Sequence, residues 1–181
     1  MPKTSTASFA KTRVFADTNV ILEAFRTGCW TAISSHFAIE TVEKCVEETL
    51  TGNPGDPRHI PVAPADLNAG LAGQHPVTRK ELASVVLAHP SCGTLDDGEK
   101  HLLAWLLANN LLPSAIVVVT TADKAALIAT HALGWLDCAV SLEYLARQAG
   151  VGRANLDALA QQYREDWLSN IKTKIRMGII P

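Results

Sequence analysis

The chain reads as an α/β protein: a three-layer α/β/α sandwich around a central, mainly parallel sheet, with a C-terminal helical extension. Three observations carry that reading. Ala115-Ile-Val-Val-Val119 is a continuous, largely β-branched run, as expected of a parallel strand buried on both faces. Short apolar runs of this kind alternate with segments of helical periodicity, the pattern of βα units. Acidic residues sit where several of these runs end or a helix begins, at Asp17, Glu43, Asp96-Asp-Gly-Glu99 and Asp123.

The elements follow in order. Met1–Lys11 is rich in Ser, Thr and Lys and reads as part of a loose tail covering residues 1–12. Arg13-Val-Phe-Ala16 is a short strand stopped at Asp17, and Val20–Phe25 is apolar on one face at helical spacing. A second strand is expected within Ala32–Ile39, then an amphipathic helix from Thr41 to about Leu50. Gly52-Asn-Pro-Gly-Asp-Pro57 ends it and opens a loop to about Pro64. One or two helices come next, the clearer over Thr78–Ala88. A strongly apolar helix starts at Asp96 and runs through Leu107 to Asn109-Asn110. After the Ala115–Val119 strand come a helix over Ala122–Leu133 with Gly134 as its C′ residue, a last short strand over Leu136–Val140, and a helix over Ser141–Gln148. One longer helix is expected from Asn155 to about Arg176, carrying an exposed Trp167. The domain division is therefore a tail (1–12), an α/β domain (13–150) and a helical extension (151–181).

The bulk composition bounds the function. With 181 residues, 48% hydrophobic and 19% charged, the chain suits one folded domain with a real core. Sixteen basic residues against 18 acidic leave a formal charge of −2. That lacks the basic footprint of a duplex-DNA reader. Cys29, Cys45, Cys92 and Cys138 form no Cys-x-x-Cys pair, which argues against a zinc ribbon or a disulfide framework. Without a signal-like start or an apolar run of membrane-spanning length, the expected location is the cytoplasm. The six histidines have no metal-ligand spacing, and no phosphate-binding or dinucleotide glycine motif is present.

Each acid has an ordinary structural explanation. Asp17-Thr-Asn19 suits a strand-end turn. Asp96 with Glu99 three residues on suits a capping box, leaving Asp97 without a structural task. Thr121 suits an N-cap, with Asp123 a favourable first-turn acid, and Glu43 lies among Glu40, Glu47 and Glu48 on what reads as a solvated helix face. Jointly they point elsewhere. In an open parallel sheet the strand C-terminal ends share one crevice, where ligands bind, and several carboxylates crowded there need a cation to offset their repulsion. The pattern predicts a metal-dependent enzyme acting on phosphates.

Strand-Asp-Thr-Asn at Asp17–Asn19, a helical Glu, Asp-x-Gly-Glu at Asp96–Glu99 and strand-Thr-x-Asp at Thr121–Asp123 together resemble the PIN-domain ribonucleases, over about Arg13 to Val140. The resemblance implies an endoribonuclease with an acid cluster binding Mg²⁺ or Mn²⁺. Carried across, the catalytic acids are Asp17, Glu43, Asp97 or Glu99, and Asp123. Asp17, Asp123 and Glu99 or Asp97 would hold metal, and Glu43 would orient the attacking water or bind a second ion. Thr18, Asn19 and Thr121 would steady the metal ligands or touch the phosphate, with Lys44, Lys100 and Lys124 gripping a single-stranded or structured RNA. Lys172, Lys174 and Arg176 form a second basic group, suited to an extended RNA track or a homodimer contact. An antitoxin-like protein partner belongs to the family's repertoire, but the long loop after Leu50 and the C-terminal extension depart from the compact toxin members. The alternatives are a PIN-fold binding or scaffold module without catalysis, and an α/β phosphatase with Asp17 as nucleophile. The phosphatase mechanism wants a second Asp where this chain has Asn19.

Overall fold

A computed structural model of the protein describes residues 11–52, 54–57 and 59–180. All but the last two residues of the expected N-terminal tail lie outside that range. Among the described residues the sheet has four strands, all parallel: β1 (Arg13–Ala16), β2 (Ala38–Val42), β3 (Gly73–His75) and β4 (Val117–Thr120), in the spatial order β3-β2-β1-β4. The α/β class with a parallel central sheet thus holds.

The register explains why both faces are apolar. Val14 pairs with Ile39 and Val118, whereas Phe15 pairs with Glu40 and Val119. Alternation along each strand therefore sends Val14, Ala16 and Ile39 into one apolar cluster and Phe15, Val42, Val117 and Val119 into another. The first cluster is completed by α1 (Thr18–Arg26), α2 (Trp30–His36), α4 (Pro64–Gly70) and α8 (Leu142–Gln148). The second draws on α3 (Glu43–Leu50), α5 (Arg79–Ala88), α6 (Asp97–Ala108), α7 (Lys124–Ala132) and α10 (Glu165–Arg176). Two cores on opposite faces of one sheet are compatible with the expected three layers.

Several expectations need correction. The segment assigned to a second strand, Ala32–Ile39, is mostly α2, and the strand begins only at Ala38. Trp30, Ile33 and Phe37 recur at helical spacing and are all buried. Leu136–Val140 is not a regular strand. Residues Leu136–Cys138 form a 3₁₀ turn that presses Leu136 and Cys138 into the core, and only Ala139 pairs, in parallel, with Val119. The single long C-terminal helix is broken into α9 (Arg153–Asp157), a 3₁₀ turn at Gln161–Tyr163, and α10. The break lets Leu159 and Tyr163 join one core while Leu168, Ile171 and Ile175 join the other. It is pinned where Glu23 Oε1 accepts the Ala160 N–H at 2.7 Å. Trp167 is half-buried against that second core rather than exposed.

Strand β3 has no apolar run to announce it. Side chains secure it instead: Glu40 accepts two bonds from Arg13 at 2.5 and 2.9 Å and lies 2.7 Å from His75 Nε2. Burial alone would push the Glu40 pKa up, but the bonds from Arg13 and His75 hold it below the usual carboxylate range. His75 stacks on Trp105, with ring centroids 4.4 Å apart.

The strand order positions the site. The chain moves outward from β1 to β2 to β3, then returns to lay β4 on the other flank of β1. The topological switch point lies between β1 and β4, where a crevice opens beyond the strand C-terminal ends.

Candidate active site

Asp17 is the first residue past β1 and its backbone N–H donates to Thr120 O, the last residue of β4, at 3.3 Å. It sits directly at the switch point. As N-cap of α1 it accepts the Val20 N–H on Oδ1 at 2.8 Å. Its other oxygen, Oδ2, is buried without a hydrogen-bond partner, and the residue is 1% exposed. A half-satisfied buried carboxylate is costly. Desolvation raises the Asp17 pKa from 3.8 to about 6, with the Asp123 charge adding to it against the Val20 N–H bond and the nearby Thr121 hydroxyl.

Glu99 comes from the first turn of α6 and is also buried. Desolvation, then the charges of Asp123, Asp17, Asp96 and Glu48, push its pKa up to about 8. The capping box expected here does not form: Asp96 is the N-cap residue of α6 but makes no side-chain cap bond, and Glu99 faces the other acids. That separates the two candidates for the third acid. Glu99 points inward, while Asp97 is at the rim, its side chain 62% exposed and 3.4 Å from Lys100 Nζ.

The acid cleft, about 420 Å³, is lined by Asp17, Thr18, Asn19, Lys44, Glu48, Asp96, Asp97 and Glu99, with Leu95 as its apolar wall. Asp123 stands beside it as N-cap of α7, its Oδ1 accepting the Ala125 and Ala126 N–H groups at 2.6 and 3.0 Å. The expected cap residue, Thr121, instead accepts the Asp123 N–H at 3.2 Å and helps hold Asp17 ionised. It braces two acids from a buried position.

The helical second acid differs from expectation. Glu43 is the exposed first residue of α3 and does not line the cleft. Glu48 does. Its Oε2 accepts the Thr18 hydroxyl at 2.7 Å and its Oε1 accepts the Gly98 N–H at 3.1 Å. Glu48 therefore supplies, from another helix, the acceptor that the open N-terminus of α6 requires. It joins α1, α3 and α6 at one point. Gly98 leaves room for it, since a Cβ there would stand 2.4 Å from Glu48 Oε2 and 3.0 Å from Thr18 Oγ1. A sequence signal existed: Cys45, Glu48 and Thr49 are spaced i, i+3, i+4, so Glu48 shares the face that buries Cys45 and Thr49. Glu43 and Glu47 are exposed.

The predicted substrate contacts divide. Asn19 and Lys44 line the cleft, Asn19 exposed and Lys44 half-buried. Thr18 lines it too, but its hydroxyl is engaged with Glu48. Lys100 and Lys124 do not line it. Lys44 is the only cation among the described lining residues, and it lies 3.2 Å from Glu47.

The donor set suits a hard divalent ion: carboxylates with Lys44 as the one lining cation, itself beside Glu47, one orphaned buried oxygen, and two pKa values raised first by desolvation and then by neighbouring acid charges. Among the described residues no group of three or more His, Cys, Asp or Glu side chains is placed to hold a metal ion. Mg²⁺ does not require one, because it keeps several waters and takes one or two carboxylates directly. Compared with family models, with curated proteins and with solved structures, the chain matches none. Among the described residues no helix is long and apolar enough to cross a membrane.

Proposed function

We propose that this protein is a metal-dependent endoribonuclease built on a PIN-like domain, hydrolysing phosphodiester bonds with Mg²⁺ or Mn²⁺ held by Asp17, Glu99 and Asp123. The observation that carries this is the Asp17 carboxylate. It is buried at the sheet's switch point with Oδ2 unpartnered, and it faces the charges of Glu99 and Asp123. No structural task explains that oxygen, and a cation would.

A divalent ion held there would polarise a phosphoryl oxygen and acidify water for in-line attack. The chain's own residues do the rest. Asp17 Oδ1 is locked by the α1 N-terminus and Asp123 Oδ1 by that of α7, so both carboxylates are presented in fixed orientation. Glu48 fixes the start of α6 and with it the direction in which Glu99 points. Thr121 keeps Asp17 and Asp123 in register. Asn19 and Lys44, at the mouth, offer an amide and an ammonium to the substrate backbone, and Asp97 shares that rim. With one cation lining the cleft, the reading favours a strand gripped mainly through its scissile phosphate, consistent with single-stranded RNA rather than a duplex.

The test is cleavage of labelled single-stranded RNA and single-stranded DNA with Mn²⁺, with Mg²⁺ and with EDTA, comparing Asp17→Asn with the unaltered protein. Cutting that requires the metal and is lost in the variant is the expected result. Intact RNA and DNA in every lane, from a protein whose fold is sound, would leave the fold as a binding module.

A further inference from the structure

A second hollow, of about 250 Å³, lies between the first turn of α8 and the outer face of α10. Its place in the sheet relates it to the acid cleft. Phe15 pairs with Val119, and Val119 with Ala139, all in parallel. Two residues beyond each of these come Asp17, Thr121 and Ser141. Ser141 therefore belongs to the same carboxyl rim, two strand spacings or about 10 Å along it from Asp17. A neighbouring nucleotide of a bound strand can span that distance.

Ser141, Tyr144, Ser169, Lys172 and Arg176 line this hollow. Tyr144 is 41% exposed. Lys172 is half-buried and donates to Ala139 O at 2.6 Å, which leaves two of its three ammonium protons for another acceptor. Desolvation and the adjacent Arg176 charge lower its pKa, so an anion there would be favoured. Arg176 pairs with Asp137, whose side chain is 86% exposed. Exposed pairs of that kind hold little energy and exchange readily. Glu165, which also borders the hollow, is neutralised by Arg147 at 2.9 Å. Two cations and two hydroxyls beside an accessible aromatic ring suit a phosphate together with a base, the combination used to hold single strands.

We propose that this hollow binds a nucleotide of a single-stranded RNA flanking the scissile bond, its phosphate on Lys172 and Arg176 and its base against the Tyr144 ring. The inference rests on the nuclease reading and extends it: the C-terminal helix becomes part of the substrate track. It gives the chain a substrate grip that its sparsely cationic acid cleft lacks.

Binding is measured without cutting, by fluorescence anisotropy of a short labelled single-stranded RNA in EDTA, for the unaltered protein, Tyr144→Ala and Arg176→Gln. Both positions are exposed, and thermal melts check that the variants fold. Tyr144→Ala should weaken binding roughly 5- to 150-fold, the range for losing one stacked base. Arg176→Gln should flatten the plot of log affinity against log salt by about 0.7, one phosphate contact on a single strand. Metal-dependent cutting should survive in both variants, with KM raised and kcat kept. Unchanged affinity and salt slope in folded variants would overturn the proposal while leaving the nuclease reading intact. If the unaltered protein binds neither RNA nor single-stranded DNA, both fall together.

Discussion

Replacing Asp17 by Asn should stabilise the metal-free protein, although under the proposed function it removes a residue that cleavage needs. The folded-state pKa of Asp17 is about 6 against 3.8 for the free group. About 2.2 pKa units, at 1.36 kcal/mol each, make ionised Asp17 a burden of about 3 kcal/mol at neutral pH. The direction with pH follows from the raised value. The folded protein holds this proton more tightly than the unfolded chain, so stability is highest below about pH 4 and is lost as pH rises through 6. Asn keeps an Oδ1 acceptor for the Val20 N–H and is a good N-cap. Its amide donors would sit where Oδ2 is unpartnered, offsetting about 1 kcal/mol. A net gain of about 2 kcal/mol corresponds to roughly 4–8 °C in Tm for a domain of this size. Thermal melts in EDTA at several pH values would read it. The variant should melt higher than the unaltered protein near pH 7.5, with the gap closing or reversing toward pH 4. Added Mg²⁺ or Mn²⁺ should raise the Tm of the unaltered protein and not that of the variant. A gap independent of pH, or a variant less stable at pH 7.5, would refute the account of Asp17 as an uncompensated buried charge.

Three further outcomes are expected. Because burial pushes the Glu99 pKa up to about 8, favouring the protonated acid at pH 7, ion binding there should release about one proton. Calorimetry in buffers of different ionisation enthalpy would count it, and Glu99→Gln should abolish the release. Glu48→Gln leaves an amide donor facing either the Gly98 N–H or the Thr18 hydroxyl, and should lower stability by about 1–3 kcal/mol. Gly98→Ala displaces the same carboxylate, so chemical denaturation of the double variant should show markedly less loss than the two single losses added together. Glu43→Ala, at an exposed helix start, should change stability by no more than about 0.5 kcal/mol and leave cleavage unchanged, as activity assays and melts would show.

Much of the site was legible because its first determinants are local. Asp17 and Asp123 each follow a strand and begin a helix, so turn and capping chemistry placed both at strand ends before any long-range contact was considered. Glu99 was legible as an acid of a first helical turn, but local rules assigned it to a capping box. Three-dimensional packing overrode that, because Glu48 took the Gly98 N–H from another helix and Glu99 faced the crevice. The choice of Glu48 over Glu43 depended on helical phase. Strand β2 runs through Val42, so Glu43 falls at the exposed start of α3 while Glu48, a turn and a half later, meets α1 and α6.

By itself, then, the sequence determined the α/β class, the order of most elements and the two strand-end aspartates, because strand burial, helical periodicity and turn chemistry act over a few residues. The tertiary structure alone decided that β4 returns to the flank of β1, that Glu48 meets Thr18 of α1 and Gly98 of α6, and that the C-terminal segment breaks to serve both cores. Those choices are made by contacts between residues tens of positions apart, whose energies depend on which faces meet. No local pattern encodes that meeting.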